Sequence, residues 1–318
     1  MINNFDYIEF INDIIYFSPR QWKNEQKTAD FLKHFLEKNS IIFDIHRFLT
    51  ATVLEKECFL KADNSYIDCI SSCYISGEIN SKDNLISSMF PSKDLLYYEN
   101  INFNPNCLLS ISLWNHFFAP SISINPKDIT KVLNAKNIYW KVNVQKFEYE
   151  AENILVWNTN NPKTITFAHY DSVQTWAIDN ASWVSVMMWF ILENPDYLKD
   201  NLFVFAANEE LSYDQPFYFG RWFRQFEKDN FDILNNASKI ISIDSVWNWE
   251  PLVITDPQWS HLALAFDNFN NLKEKIQVIS WNIPHLMSVY HSDIDDGRGI
   301  KLDFLISTKN KYEEILNL

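Results

Sequence analysis

The chain has 318 residues, of which 47% are hydrophobic and 21% charged, so it can build one large folded domain or one domain with an insert. Its formal net charge of -14 argues against nucleic-acid binding, because phosphates need a basic face. No stretch approaches the roughly 18 apolar residues of a membrane span. The first ten residues have neither the basic region nor the uninterrupted apolar core of a signal peptide. We therefore expect a cytoplasmic protein that does not insert into membranes.

The amino-terminal part predicts two amphipathic helices, Phe5 to Tyr16 and Glu25 to Lys38, followed by a β-rich stretch from Ile41 to about Ala62. The four cysteines are Cys58, Cys69, Cys73 and Cys107. They lack the close two-pair spacing of a structural zinc knuckle. Free thiols in a cytoplasmic protein are favoured, and a secreted, disulfide-bonded form is the alternative.

The carboxyl-terminal half alternates short apolar runs with helical patterns. The strand-like runs are Ile154 to Val156, Ile165 to Ala168, Leu202 to Ala206 and Ile240 to Ile243, and helices are predicted at Ala181 to Leu192 and Tyr312 to Leu318. Strands separated by helices indicate an α/β fold, with a mixed, largely parallel sheet between two helical layers. We therefore expect a three-layer α/β/α domain.

Polar clusters follow these apolar runs. The first run leads into His169, Asp171 and Asp179, the next into Asn208, Glu209 and Glu210, the third into Asp244, and a later segment supplies His291. Open α/β sheets bind ligands at the carboxyl ends of their strands. Imidazole and carboxylate ligands without thiolates are typical of a two-zinc hydrolytic site.

The segments AHYDSV, AIDNAS, ANEEL, SIDSV and VYHSDID, in this order, resemble the zinc aminopeptidase and glutamate carboxypeptidase family of metallopeptidases. The resemblance covers roughly Ile154 to the carboxyl terminus, and PRQ at Pro19 to Gln21 is similar to the family's amino-terminal signature. It implies two Zn²⁺ ions and a peptide substrate.

The resemblance also implies a role for each residue of the site. His169 and Asp244 would hold one zinc ion, Glu210 and His291 the other, and Asp179 would bridge the two. Glu209 would be the general base that deprotonates the attacking water, Asp171 would orient His169, and Tyr290 would help stabilise the oxyanion. In the family the peptide bond after the bridging Asp is often cis, which places one at Asp179 to Asn180.

Elementary chemistry agrees with these roles. A bridging carboxylate offers one oxygen to each ion, which suits the separation of about 3.5–4 Å in two-metal hydrolases. Adjacent side chains such as Glu209 and Glu210 point in different directions, so one can bind metal while the other transfers protons. Asp171, two residues after His169, can accept the other imidazole N–H and select the tautomer.

Residues 49–147 contain no metal motif and are predicted to be a β-rich insert. The stretch from Ala119 to Phe147 resembles the end of a protease-associated domain, with a short strand, a helix from Pro126 to Asn134 and a final strand. In the family such inserts shape substrate access. The predicted organisation is a catalytic domain of residues 1–48 and 148–318 interrupted by this insert.

These observations favour an aminopeptidase, with a carboxypeptidase or dipeptidase of the same family as alternatives. A glutaminyl cyclase, a relative that uses one zinc ion, is disfavoured because it would not need the full ligand set. From another class, a non-catalytic binding protein on a peptidase scaffold is also possible. Such relatives lose metal ligands, whereas all six ligand and base positions here carry suitable residue types.

The composition is unusual in having 4 Gly and 12 Trp, when soluble chains average about 7% Gly. Five Trp occupy positions where the family pattern has glycine (Trp22, Trp157, Trp176, Trp183 and Trp247), and Trp259 and Trp281 are in turn-like contexts. Tryptophan replaces glycine poorly where φ is positive or backbones approach closely. We hypothesise an alternative genetic code, in which UGA codons for glycine have been translated as tryptophan; a genuinely Trp-rich protein is the alternative.

Overall fold

The computed structural model describes residues 5–87, 93–105, 116–157, 161–213, 219–245, 250–280, 286 and 289–317. The α-helices are α1 (Tyr7–Ile15), α2 (Lys23–Lys38), α3 (Ile129–Asn134), α4 (Ser182–Glu193), α5 (Arg221–Asn236), α6 (Pro257–Ala263), α7 (Phe269–Leu272) and α8 (Leu302–Asn317). No helix in these ranges is both long and apolar enough to cross a membrane.

The strands are β1 (Asp44–Ala62), β2 (Ser65–Ile67), β3 (Cys69–Ser71), β4 (Gly77–Ile79), β5 (Leu85–Ser87), β6 (Asn100–Phe103), β7 (Ser121–Ile124), β8 (Ile138–Val156), β9 (Thr164–His169), β10 (Asn201–Ala206), β11 (Lys239–Ile243), β12 (Leu252–Ile254) and β13 (Ile276–Ser280). The predicted strands of the carboxyl-terminal half are confirmed within β8, β9, β10 and β11.

The central sheet has the strand order β12-β13-β11-β9-β10-β8-β1-β2, and β4 also pairs with β8. Its four middle strands, β13, β11, β9 and β10, run parallel, while the flanking strands are antiparallel. Every residue of β9 and β10 is buried, as expected for strands covered on both faces. The predicted α/β class, with helices on both sides of a mixed and largely parallel sheet, is confirmed.

The segment predicted as an insert contains a second sheet, ordered β3-β7-β6-β5, with its own apolar core around Leu60, Ile122 and Trp140. The two sheets are connected through an antiparallel ladder of β1 and β8, which pairs Asp44 with Leu155 at one end and Ala62 with Ile138 at the other. Both strands run without a break across the predicted domain boundaries. The division at residues 49 and 147, like the likeness to a protease-associated domain, stays a prediction.

Most helix predictions are also confirmed. Asp6 caps α1 by accepting hydrogen bonds from the amides of Ile8 and Glu9, both at 3.0 Å. The last helix begins at Leu302 and not at Tyr312, so its predicted length was wrong by about ten residues. The sequence pattern missed its first turns because Leu302, Asp303 and Phe304 are not buried, which weakens the apolar periodicity there.

Three of the four cysteines lie in the described part of the chain, and all three are free thiols. The sulfur atoms of Cys58 and Cys69 are 3.4 Å apart. Cys107 lies outside the described residues. The expectation of free thiols therefore holds for the three that are described.

Glu152 attaches α2 to the long ladder. Its carboxylate lies 2.6 Å from Lys33 Nζ on α2 and 3.0 Å from the guanidinium of Arg47, its cross-strand partner on β1. Burial raises the pKa of Glu152, but the hydrogen bonds from Lys33, Gln26 and Arg47 and the Lys33 charge outweigh that effect, so the pKa is lowered. The ionised carboxylate therefore stabilises the fold.

We expect Glu152→Gln to lower the free energy of unfolding by about 1–3 kcal/mol near neutral pH, because charged hydrogen bonds are lost. A depressed folded-state pKa contributes stability above the unfolded-state pKa, about 4.3 for Glu, and loses it as the pH falls through the folded-state value. Urea unfolding near pH 7 and near pH 4 should show the difference shrinking at the lower pH.

Glu150→Gln is the matched control, because Glu150 lies on the same strand, is 56% exposed and is 3.6 Å from Arg47. Its effect should be within about 0.5 kcal/mol at either pH. An equal cost for Glu152→Gln at both pH values would contradict this account.

Candidate metal centre

The carboxyl ends of three adjacent parallel strands carry the polar clusters found in the sequence. His169 is the last residue of β9, Glu209 and Glu210 follow β10, and Asp244 comes directly after β11. Since β11, β9 and β10 are neighbours and parallel, these side chains meet at one edge of the sheet. His169 Nε2 lies 3.8 Å from Asp244 Oδ1.

Asp179 lies between the two histidines. It belongs to a π-helical segment, Ala177–Ala181, and the Asp179–Asn180 peptide bond is cis, as predicted. One carboxylate oxygen, Oδ1, is 3.0 Å from His169 Nε2, and the other, Oδ2, is 3.4 Å from His291 Nε2. The carboxylate therefore presents one oxygen toward each imidazole, as a bridging ligand would.

Potential ligand atoms form two groups that share Asp179: His169 with Asp179 and Asp244, and Asp179 with Glu210 and His291. Within each group the atoms lie within 4.8 Å of one another. Glu210 Oε2 is 3.2 Å from His291 Nε2. His169, Glu209 and Glu210 form a third such group, so the carboxylate of Glu209 faces the same space. All the side chains that the sequence predicted as ligands or base are therefore brought together.

Asp171 organises the turns around His169 and the Glu209–Glu210 pair. Its carboxylate accepts hydrogen bonds from the amides of Glu209 (3.0 Å) and Glu210 (3.1 Å), and from Gln21 Nε2 (3.0 Å). Oδ1 also lies 3.4 Å from His169 Nδ1. One buried carboxylate thus holds the backbone that carries the two glutamates and lies beside the imidazole of His169; its orienting role stays a prediction.

Arg20 holds the turn between β9 and Asp179. Its fully buried guanidinium donates to the carbonyl oxygens of Tyr170 (2.7 Å), Thr175 (2.8 Å) and Trp176 (3.0 Å). Burial lowers its pKa to about 10, with carboxylates including Asp171 and Asp295 opposing the shift. The sequence analysis identified Arg20 and Gln21 only as part of a signature. In the structure Arg20 bonds the backbone of the turn before Asp179, and Gln21 bonds the carboxylate of Asp171.

Asp295 was missed by the sequence reasoning. Its carboxylate accepts hydrogen bonds from the amides of Ile178 (2.7 Å) and Asp179 (3.1 Å), so it holds the backbone that presents Asp179. Burial raises the pKa of Asp295 to about 7. The available signal was a carboxylate four residues after His291 within the same polar segment.

Burial and close contact distort the acid–base behaviour of the site. Burial, followed by the charge of Asp179, raises the pKa of Glu210 to about 8. Burial alone would lower the pKa of His291, but Glu210 and Asp179 outweigh it and raise the pKa to about 9. Burial also raises the pKa of Glu209 well above its ordinary value, an effect that His169 opposes.

These residues fit a divalent metal. The Nδ1 of the fully buried His291 makes no hydrogen bond with the described part of the chain, and its Nε2 faces the carboxylates of Asp179 and Glu210. Imidazole nitrogens and carboxylate oxygens are the ligands zinc takes in hydrolases. A cation at this point would also favour carboxylates and neutral imidazoles, which burial and mutual repulsion otherwise disfavour.

Tyr290 lies directly before His291, and its ring stacks on that imidazole with centroids 3.6 Å apart. Burial raises the pKa of its phenol well above the usual value, so it remains a protonated donor. A pocket beside the ligand groups is lined by His169, Glu209 and Asp244 together with the apolar side chains of Phe167, Trp222 and Phe223.

Two of the tryptophans at glycine-like positions have positive φ angles, and one of these two contacts the site. Trp22 and Trp176 have φ values of 54° and 28°, in the left-handed region that favours glycine. The indole of Trp176 stacks on His291 at 4.2 Å with an interplanar angle of 3°. The indole N–H groups of Trp176 and Trp183 are buried and make no hydrogen bond with described residues, whereas Trp157 donates to Asp44 at 2.8 Å. Trp247 and Trp281 lie outside the described residues.

No protein-family model matches the chain, and no curated protein matches it in sequence. Solved structures share its fold. BSAP, a zinc aminopeptidase from Bacillus subtilis, aligns over 97% of this chain and 94% of its own with a TM-score of 0.64 and 16% identity. A peptidase M28 precursor from Shewanella amazonensis aligns over 98% and 92%, with a TM-score of 0.63 and 11% identity. An Acidobacteriales bacterium glutaminyl cyclase aligns over 98% and 92%, with a TM-score of 0.52 and 10% identity. At such identities the similarity establishes the fold.

Proposed function

We propose that this protein is a zinc-dependent exopeptidase, and that it acts as an aminopeptidase on peptide amino termini. The observation that carries the proposal is the convergence of His169, His291 and their carboxylates into two ligand groups that share Asp179. The fold it shares with BSAP, a solved zinc aminopeptidase, supports the same assignment. The presence of every ligand type argues against an inert scaffold.

In this proposal each ligand group holds one Zn²⁺ ion. His169 and Asp244 would hold the first ion, Glu210 and His291 would hold the second, and Asp179 would contribute to both. When bound, the ions would acidify the attacking water and polarise the scissile carbonyl. Asp171 keeps the imidazole of His169 oriented through its Nδ1 side.

Glu209 is the proposed general base. It is the glutamate that remains outside the two ligand groups sharing Asp179, yet its amide is fixed by Asp171 and its carboxylate faces the same space. It would accept the proton of the attacking water and pass it to the leaving amine. Tyr290, whose phenol stays protonated, would donate a hydrogen bond to the developing oxyanion.

The experiment is hydrolysis of a panel of dipeptides and amino-acid amides with added Zn²⁺. Each peptide is offered with its amino terminus free or acetylated, and with its carboxyl terminus free or amidated. An aminopeptidase releases the first residue only when the amine is free. Cleavage that requires a free carboxylate would point to a carboxypeptidase, and cleavage confined to free dipeptides to a dipeptidase.

Two outcomes would reject peptidase activity. A peptide beginning with glutamine that loses ammonia without chain cleavage would indicate a cyclase, the activity named for one structure of this fold. A folded protein that binds no zinc and cleaves nothing would indicate a binding protein on a peptidase scaffold. Glu209→Gln, which keeps the ligand set, is the control for contaminating peptidases.

We also propose that most of the tryptophans at glycine-like positions are glycines encoded by UGA. The positive φ angles of Trp22 and Trp176 support this reading, as does the indole N–H of Trp183, which has no hydrogen-bond partner among the described residues. The hydrogen bonds of Trp157 to Asp44 and of Trp140 to Ser81 support tryptophan at those two places. UGA codons at positions 22, 176 and 183 are expected in the gene; UGG codons there would reject the proposal.

The same proposal can be tested by whether replacing a tryptophan with glycine raises or lowers the stability of the protein. Replacing a genuine buried Trp by a smaller residue costs about 3–5 kcal/mol through the cavity it leaves. Relieving a non-glycine residue held at positive φ instead gains about 1–3 kcal/mol. If position 176 is natively glycine, the backbone closes there without an indole-sized cavity, so we expect Trp176→Gly to raise the thermal midpoint and Trp140→Gly to lower it. A large loss in both variants would show that Trp176 belongs to the native core.

A further inference from the structure

Asn208, the residue before Glu209, is held by hydrogen bonds through its whole side chain. Its φ is 52°, a left-handed conformation that Asn tolerates better than most residues. Its Nδ2 donates to the carbonyl of Leu211 (2.7 Å) and to the hydroxyl of Tyr149 (3.3 Å), and its Oδ1 accepts from Thr50 Oγ1 (2.5 Å). The side chain of Asn208 therefore holds the backbone turn that precedes Glu209.

Two of the three side-chain partners of Asn208 belong to the long β1/β8 ladder. Thr50 on β1 and Tyr149 on β8 are directly paired across that ladder. Tyr149 donates to Glu25 Oε2 (2.9 Å), and the same oxygen accepts the amide of Asn208 (3.2 Å). Burial raises the pKa of Glu25 well above its usual value. Asn208, Tyr149 and Glu25 thus close a ring of buried hydrogen bonds behind the proposed base.

The chain after Glu210 is attached to the same ladder and to the predicted insert. The amide of Tyr213 donates to the carbonyl of Ala51 on β1 at 3.1 Å. Tyr74, within the predicted insert, donates its hydroxyl to the carbonyl of Ser212 at 2.9 Å, and Leu211 packs beside its ring. The chain is therefore attached to other strands and to the predicted insert both before Glu209, at Asn208, and after Glu210, at Ser212 and Tyr213.

We propose that Thr50 and Tyr149 are positioning residues for Glu209, acting through Asn208, so that the ladder leading to the insert helps to set the geometry of the base. This inference rests on the proposed peptidase function. A general base must reach its proton within about 2.6–3.2 Å, and a displacement of about 1 Å can cost a factor of about 100 in rate. Thr50 lies in a part of the ladder that is paired without a register shift from Asp44 to Glu55, whereas a turn with one left-handed residue needs external support.

The test uses variants that remove one contact each. Asn208→Gly tolerates the positive φ but loses the side chain, and Tyr149→Phe loses the hydroxyl of Tyr149. Thr50→Val loses the hydroxyl of Thr50, whereas Thr50→Ser keeps a hydroxyl at that position. The matched control is Thr166→Val, because Thr166 is also buried and its hydroxyl bonds the hydroxyl of Tyr312, away from the base.

The first readout is steady-state kinetics on a substrate of the unmodified protein, with zinc content and thermal midpoint measured in parallel. We expect Asn208→Gly and Thr50→Val to lower kcat by about 10-fold to 100-fold with KM and zinc content unchanged, and Thr50→Ser to restore it. Lower thermal midpoints with unchanged kcat in both variants would mean a purely structural role and would overturn the proposal.

The second readout is amide hydrogen exchange at Glu209 and Glu210, whose N–H groups are bonded to Asp171. Exchange should accelerate about 10-fold or more in Asn208→Gly and Thr50→Val, and stay unchanged in Thr166→Val. Unchanged exchange in the first two variants overturns the positioning role whatever the activity. Faster exchange in a protein that hydrolyses no peptide leaves the positioning role intact and rejects the proposed function.

Discussion

Glu209→Gln is expected to lower kcat for peptide hydrolysis by about 10²–10⁴-fold while leaving zinc content and KM close to those of the unmodified protein. The amide is the same size as the carboxylate but cannot take a proton from water. The loop would keep its shape, because Asp171 holds the amide of residue 209 and not its side chain. Kinetics combined with metal analysis on the same preparations measures both quantities.

The adjacent Glu210→Gln variant separates the two glutamates. Glu210 is 2% exposed and lies 3.2 Å from His291 Nε2. Its neutralisation should therefore cause the loss of both bound zinc and activity. Loss of activity with full zinc content in Glu209→Gln, and loss of both in Glu210→Gln, is the expected pattern. The reverse pattern would exchange the roles assigned to these residues, and full activity in Glu209→Gln would remove the proposed base.

Zinc is expected to stabilise the folded protein strongly and to bind at about two ions per chain. Carboxylates and imidazoles are buried together here, and Asp179, Glu210 and His291 are 0–2% exposed, so a bound cation would relieve a large desolvation cost. A ligand that binds only the folded state at 1,000 times its dissociation constant adds about 4 kcal/mol. Thermal unfolding with excess Zn²⁺ and with a chelator measures the difference.

Asp179→Asn should abolish most of this stabilisation, because Asp179 belongs to both ligand groups. His291→Ala should retain about half of the bound zinc, since it removes a ligand from one group. His46→Ala is the matched control: His46 bonds Asp229 at 3.0 Å outside the site, and its loss should leave the zinc effect unchanged. Equal thermal midpoints with zinc and with chelator would contradict the metal assignment.

The position of the long ladder gives the segment around residues 49–147 a second possible role. The predicted role of such an insert is to shape substrate access. The contacts of Tyr74 with Ser212 and of Thr50 with Asn208 also join this region to the backbone on both sides of Glu209. If the variants of Thr50 and Asn208 behave as expected, β1 and β8 help to position the proposed base as well as connecting to the insert.

Sequence alone was sufficient for the fold class and for the place of the candidate site. Apolar runs such as Ile165 to Ala168 and Leu202 to Ala206 specify buried parallel strands. Their common direction requires the polar residues that follow them to meet at one edge of the sheet. The convergence of His169, Glu210 and Asp244 was predictable for that reason, whereas the roles given to them remain predictions for the experiments above.

Tertiary structure alone decided which residues support that edge. Asp295 holds the amides of Ile178 and Asp179 from more than a hundred positions away, and Asn208 is gripped by a pair of residues on two other strands. Hydrogen bonds of this kind depend on distance and direction in space and leave no periodic trace in the chain. Periodicity can therefore identify the strands and the ends that carry the ligands, but the contacts that hold those ligands in place become visible only after the chain has folded.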